Sequence, residues 1–266
     1  MTTAKLNFLI IDPQNDFCDP RGSLFVHGAD KDSSKLSGTI LRLKDKIENV
    51  YVTLDTHHLV DIAHPIFWID ASGCHPSAFT VITSDDLKNG IWRTTDPRHM
   101  QRAADYVEAL RTNGRYSLCI WPPHCLIGSW GNNVVKPVYD ALFEWESGFK
   151  VVNYMLKGTN IWTEHYSAVK AEVEDPDDPK TMINAELLRA VQSADATAVS
   201  GQALSHCVAN TIRDIASALK DDVLKKIVLL TDTTSPVAGF EGMATDFVEE
   251  MARRGMRLCR ADDFMR

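Results

Sequence analysis

The sequence predicts an α/β fold: a doubly wound parallel sheet with helices on both faces. Two observations lead there. Short apolar, β-branched runs alternate along the chain with segments of helical periodicity, the pattern of strands joined by crossover helices. Polar residues able to do chemistry stand at the ends of several of those runs, and ligands of such sheets bind beyond the carboxyl ends of the strands.

Leu6 to Ile11 reads as a first strand ending at Asp12. Leu36, Ile40, Leu43 and Ile47 fall at helical spacing after the polar start Asp32-Ser33-Ser34, which predicts a helix. Tyr51 to Leu54 reads as a second strand ending at Asp55, and Val151 to Leu156 as a third ending just before Lys157. Ala196 to Ser200 is the fourth, followed by Gly201. Val208, Thr211, Ile212, Ile215 and Leu219 mark a helix face. Ile227 to Leu230 is a fifth strand, Phe240 to Met251 a helix, and Met256 to Cys259 a last short strand. Residues 66–118 break the alternation. They are rich in turn formers and aromatics, with one helix suggested by Met100, Ala103, Val107 and Leu110. They read as an excursion from the core, either a cover over the site or an oligomer contact. With no repeat, linker or low-complexity tract, residues 1–266 read as a single domain.

The 266 residues are 44% hydrophobic and 24% charged, with a formal net charge of −8. Such acidity, without a basic run, argues against nonspecific binding to nucleic acid or an anionic membrane. The N-terminal stretch MTTAKLNFLIIDPQ is too short in its apolar run for a signal peptide or a membrane span. A cytoplasmic location and reduced thiols are therefore expected for the six cysteines, none of which forms a CxxC pair.

Cys207 lies in SGQALSHCVANTI, between a strand and a helix start, with Ser205 as an N-cap. A helix N-terminus favours a thiolate, and its free amides can hold an oxyanion. A cysteine in that place is also a common packing residue. Asp12, opening DPQNDFC, can accept a thiol proton, and Lys157, in MLKGTN, can stabilise the resulting charges. Either residue is equally at home as an ordinary turn or surface residue. The segment DTHH places Asp55 and His57 one residue apart, facing the same way if the chain is extended. His64 follows, and His124 sits in WPPHC. A carboxylate with two or three imidazoles suits zinc, iron or manganese, although nine histidines allow accidental clustering.

The segments IIDPQNDFC, DTHHLVDIAHP, WPPHCLIGSWG, LKGTNIWTEHYSA and SGQALSHCVANT, in that order, resemble the nicotinamidase/pyrazinamidase branch of the isochorismatase-like cysteine hydrolases. The resemblance spans the chain except for the 66–118 excursion. It implies a catalytic triad of Asp12, Lys157 and Cys207. It implies one divalent transition metal, zinc before iron or manganese, held by Asp55, His57 and His124 with His64 as a further ligand. It implies a cis peptide between Gln202 and Ala203, and an oxyanion hole from the amides of Ala203 and Cys207. Phe17, Trp121 and Tyr166 match positions packing around a substrate ring, and Glu164 an acidic position near it. Cys125 follows a metal histidine and is not the nucleophile.

Two features depart from the family pattern. Ser205 replaces a frequent aspartate, and the excursion is longer than in compact members. The expected activity is hydrolysis of nicotinamide through a thioester, by a homo-oligomer. The alternatives are another small amide, such as a carbamoyl or ureido compound, and a non-catalytic member that binds a small molecule or a protein.

Overall fold

Leu6–Ile11 forms strand β1, buried along its whole length. Its side chains alternate between two cores. Leu6, Phe8 and Ile10 enter one, Leu9 and Ile11 the other, as a strand covered on both faces requires. Around it lie β2 (Ile47–Asp55), β3 (Asn153–Lys157), β4 (Ala196–Gly201), β5 (Ile227–Leu230) and β6 (Arg257–Cys259). These strands form one sheet in the order β6-β5-β4-β1-β2-β3, and every pairing is parallel. The structure is a computed structural model that describes residues 5–113 and 115–266.

Among the described residues, six longer helices accompany the strands: α1 (Ala29–Leu43), α2 (Met100–Asn113), α3 (Lys136–Glu146), α4 (Ala185–Ser193), α5 (Ala209–Leu219) and α6 (Glu241–Arg253). Leu36, Ile40 and Leu43 of α1 share one core with Val138, Leu142 and Trp145 of α3. Leu187 of α4, Ile212 and Ile215 of α5, and Phe247 and Met251 of α6 fill the core on the opposite face. The doubly wound architecture is therefore as expected.

Three local expectations need correction. Ile47 does not continue α1. The helix ends at Leu43, and Ile47 opens β2, because a strand that follows a tight turn can repeat the four-residue spacing of a helix by chance. The third strand begins at Asn153 and includes Lys157. Ser205 does not cap a helix. It lies inside a π turn, Leu204–Val208, that precedes α5, and its hydroxyl contacts His206 Nδ1 at 2.9 Å and accepts from the Val237 amide.

Residues 66–118 build a satellite core. Trp68, Ile82, Val107, Leu110 and Leu118 pack together there with Ile120, Trp121 and Tyr166. Two short antiparallel pairs, Trp68–Ile69 with Arg93–Thr94 and Val81–Ile82 with Leu118–Cys119, tie it up. The helix Ser84–Lys88 starts on a capping box in which the Thr83 and Asp86 side chains each bond the other's amide. The predicted helix through Met100 and Leu110 is α2, with Ala103, Val107 and Leu110 buried. Within the chain the excursion buttresses Trp121 and Tyr166.

Candidate active site

Strands β1 and β4 are neighbours whose further partners lie on opposite sides of the sheet. That reversal opens a crevice at their carboxyl ends. Asp12 follows β1 and is fully buried, with a left-handed φ of 45°. Its Oδ1 accepts from the Thr53 hydroxyl at 2.6 Å, and its amide donates to the Thr53 carbonyl at 3.1 Å. Gly201 ends β4 with φ 114°, and a Cβ there would lie 1.9 Å from the Ile11 carbonyl oxygen. Only glycine lets the chain turn away so close to β1.

That turn leads to Cys207. The Gln202–Ala203 peptide is cis, as the resemblance implied. The Ala203 carbonyl accepts from the amides of His206 and Val208, at 3.0 and 3.1 Å. Lys157, the last residue of β3, extends into the same place. Its Nζ lies 2.9 Å from Asp12 Oδ2, 2.9 Å from Asp55 Oδ1 and 3.6 Å from Cys207 Sγ. Three strand ends thus bring together three residues that the sequence holds up to 195 positions apart.

Burial dominates the electrostatics. It pushes the Cys207 thiol well above its ordinary range against the pull of Lys157, and the nearby Asp12 and Asp55 add to the rise. Burial also raises Asp12, against the pull of Lys157. Burial alone would lower Lys157, but Asp12, Asp55 and Cys207 hold it well above the usual lysine value. The resting thiol is therefore protonated. The expectation that a helix start favours a resting thiolate fails, because an exposed helix end carries only partial charges and desolvation of a buried thiolate is the larger effect.

Beside the triad lies a second group. Asp55 Oδ2 is 3.0 Å from His57 Nε2 and 3.4 Å from His124 Nε2. Each of three imidazoles has its Nδ1 against an acceptor. His57 meets Asp61 Oδ2 at 3.0 Å, His64 the Leu59 carbonyl at 3.2 Å, and His124 the Pro122 carbonyl at 2.8 Å. A ring that donates through Nδ1 offers its Nε2 lone pair to a cation. The ligand atoms of Asp55, His57 and His124 lie within 4.8 Å of one another. His64 stands outside that compact set, with ring centroids 5.3 and 5.6 Å away from His57 and His124. Its Nε2 is buried without a hydrogen-bond partner. This donor set fits a divalent transition ion. Burial opposes a charge on His57, but Asp55 and Asp61 outweigh it and hold the proton on the ring. A cation at Nε2 would take the place of that proton.

Backbone clamps hold the ligands in place. Gln14 donates to the Asp55 carbonyl and accepts from the Asp55 amide, both at 2.7 Å. Asn132 donates to the carbonyls of Asp55 and Cys125, at 2.9 and 3.1 Å. Asp16 accepts from the Cys125 amide at 2.6 Å. Gly158 has φ 78°, and a Cβ there would come within 2.7 Å of Asp55 Oδ1. Gln14 and Asp16 sit in the segment IIDPQNDFC and Asn132 directly follows WPPHCLIGSWG, but the sequence reading gave none of them a role. Asp61 was missed because a lone aspartate in DIAHP carries no spacing signal.

A narrow cavity of about 30 Å³ opens on Cys207, Asp55 and His124. Phe17, Trp121, Glu164 and Tyr166 line it, together with Leu24, Ala203, His206 and Val237. Trp121 Nε1 donates to Tyr166 Oη at 3.0 Å. Trp68, Phe79 and Trp92 of the excursion are not among the lining residues; Trp68 is fully buried in the satellite core. His206, next to the nucleophile, was also unassigned. Burial lowers it to about 4, so its ring is neutral. Burial raises Glu164 to about 8, so its carboxyl is largely protonated near neutral pH.

Solved structures share this architecture. The chain is similar to the yeast nicotinamidase Pnc1p, with a TM-score of 0.62 and 19% identity over 95% of this chain and 98% of that one. It is also similar to an Acinetobacter baumanii nicotinamidase/pyrazinamidase, with a TM-score of 0.63 and 20% identity over 98% and 99% of the two chains. The fold is the nicotinamidase fold. A Pyrococcus horikoshii pyrazinamidase solved in complex with zinc has the same nicotinamidase fold, at a TM-score of 0.58 and 19% identity over 96% and 99%. No protein-family model matches the sequence, and no curated protein does. Among the described residues, no helix is long and apolar enough to cross a membrane.

Proposed function

We propose that the protein is a cysteine amidohydrolase that converts nicotinamide to nicotinate and ammonia. The observation that carries this reading is the convergence of Cys207, Asp12 and Lys157 beside a carboxylate shared with two histidines. The nicotinamidases and pyrazinamidases of the same fold support it.

Asp12 takes the proton of Cys207 as Sγ attacks the carboxamide carbon. Lys157 stays charged and offsets the negative charge that forms between Asp12 and the sulfur. The amides of Ala203 and Cys207 hold the oxygen of the tetrahedral adduct. Asp12 returns the proton to the leaving nitrogen, and ammonia departs. Water then attacks the thioester carbon, giving Asp12 a proton that passes to the departing thiolate. The net change is amide plus water to acid plus ammonia. A divalent ion held by Asp55, His57 and His124, with His64 adjoining, would supply a Lewis acid able to orient a pyridine nitrogen. We assign zinc first, with iron or manganese as alternatives.

Phe17, Trp121 and Tyr166 supply aromatic walls for a flat ring, worth about 1 kcal/mol per contact beyond area burial. Glu164, largely neutral, can donate a hydrogen bond there. The narrowness of the cavity supports a second reading, a smaller carbamoyl or ureido substrate for the same triad. Ammonia release from nicotinamide, benzamide and a ureido compound, measured in parallel, tests both. Nicotinamide should turn over fastest, and removing the metal should narrow its advantage over benzamide. Turnover of the ureido compound without turnover of nicotinamide would move the assignment to the second reading.

A further inference from the structure

Strand β3 closes one end of the sheet and pairs only with β2. Its outer side is open among the described residues. Natural sheet edges are usually protected by lysine, proline, a bulge or a covering loop. The run Val151 to Leu156 contains neither lysine nor proline. The one lysine of β3, Lys157, turns its ammonium inward to Asp12 and Asp55.

The open edge continues into apolar surface. Tyr139, Phe143, Phe149, Val151, Tyr154 and Leu156 are 45 to 104% exposed. They lie along the edge and beside it, with Phe149 and Val151 leading into β3 in sequence. Tyr139 and Tyr154 line the same groove, Phe143 is one turn beyond Tyr139 on α3, and Tyr154 and Leu156 share a face of β3. On the other face of the strand, exposed Met182 and Ile183 line a cleft of about 330 Å³ against Met155. If a large side chain exposes roughly 150–250 Å² in full, these six side chains together present about 700 Å² per chain along both faces of the edge, close to the ≈ 800 Å² each partner buries in a standard stable interface.

The charge pattern fits a second copy. Lys136 pairs with Asp140, and Lys44 with Glu144, each at 2.7 Å. Lys150 donates to the carbonyls of Lys44 and Ile47. Lys136 and Lys44 are thus neutralised by carboxylates of their own chain, and the Lys150 ammonium is turned onto its own backbone, so the charges beside the edge are largely engaged within the chain and the same surface can face itself across a two-fold axis. An apolar strand edge flanked on both faces by apolar residues also complements itself.

We propose that the β3 edge is a homodimer surface. Two copies of the chain pair their β3 strands antiparallel about an axis near Met155. This joins the two sheets into one, sets Tyr154 opposite Leu156 across the axis, and covers Tyr139, Phe143 and Phe149. The inference does not depend on the catalytic reading.

Sedimentation of the full chain at micromolar concentration tests it, with Tyr154→Lys and Phe143→Lys as interface variants. Ile91→Lys, at an exposed position of the excursion, is the control. The wild type and the control should sediment as dimers, or as assemblies built from them. Each interface variant should raise the dissociation constant by at least about 100-fold, because lysines would meet across the axis, with unchanged circular dichroism. If Tyr154→Lys fails to fold, Phe143→Lys on the helix surface decides alone. A monomeric wild type, or an assembly that survives the folded interface variants, overturns the proposal.

Discussion

Lys157 Nζ lies 2.9 Å from one oxygen of Asp55, and the other oxygen of Asp55 lies 3.0 Å from His57 Nε2. One carboxylate thus faces both the thiol chemistry and the imidazole set. Burial alone would raise Asp55, but His57 and Lys157 hold it well below the usual carboxylate range. Asp55→Asn should therefore reduce both bound metal and turnover. Lys157→Met should lower turnover by about 10²-fold or more while the metal remains. Metal analysis beside ammonia release separates the two, and a Lys157→Met protein without metal would contradict the division.

The two buried cysteines near the site should behave differently. Cys207→Ala should bring turnover to background, at least about 10³-fold down, with the fold retained. Cys125 serves its neighbours through its backbone. Its amide donates to Asp16, and its carbonyl accepts from the His57 amide and from Asn132. Cys125→Ala keeps those bonds, so turnover should stay within about tenfold, with stability lower by about 1 kcal/mol for the lost buried sulfur. Equal losses in the two variants would contradict the assignment of the nucleophile.

Asp61 fixes the His57 ring from behind, at 3.0 Å from Nδ1. Removing such a partner typically weakens metal binding about 10- to 100-fold. Asp61→Asn should show that loss in chelator competition, whereas His57 and His124 replaced together by alanine should leave no bound ion. Unchanged stoichiometry in the double variant would mean that the ligands lie elsewhere.

Glu172 gives a pH dependence of stability away from the metal ligands. Burial pushes it from 4.5 up to about 7, while Arg115 pulls it down and Asp214 pushes it further up. A carboxyl whose folded value exceeds its unfolded one stabilises the fold fully below the unfolded value. That stabilisation is lost as the pH rises through the folded value. The window is therefore 4.5 to about 7. Glu172→Gln should lose this dependence. Its Tm should rise relative to wild type between about pH 5 and about pH 8, and parallel Tm curves would refute the buried-acid account.

The sheet was legible where the physics is local. The run Leu6 to Ile11 is apolar because both of its faces are buried, and Asp12 marks its end. Helix α3 was not foreseen, since Tyr139 and Phe143 lie on its exposed side and blur the amphipathic stripe that identifies a helix. The two-residue strands of the excursion are too short to show a period. Within the site, Asp12, Asp55, His57, His124, Lys157 and Cys207 were found by their positions at or after strand ends and by family resemblance. Asp61, Asn132 and His206 were not. Their importance arises from contacts across the fold, and nothing in their own segments announces it.

The cavity has walls of two origins. Cys207, Asp55 and His124 reach it from sheet ends and the loops clamped to them, while Trp121 and Tyr166 rest on the satellite core. Insertions, deletions and exchanges in residues 66–118 can therefore reshape what the cavity admits without shifting Asp12, Lys157 or Cys207. One wall of the cavity can then vary through a stretch of the gene that carries none of the candidate triad or metal ligands, while Phe17, Ala203 and His206 stay tied to the segments of Asp12 and Cys207.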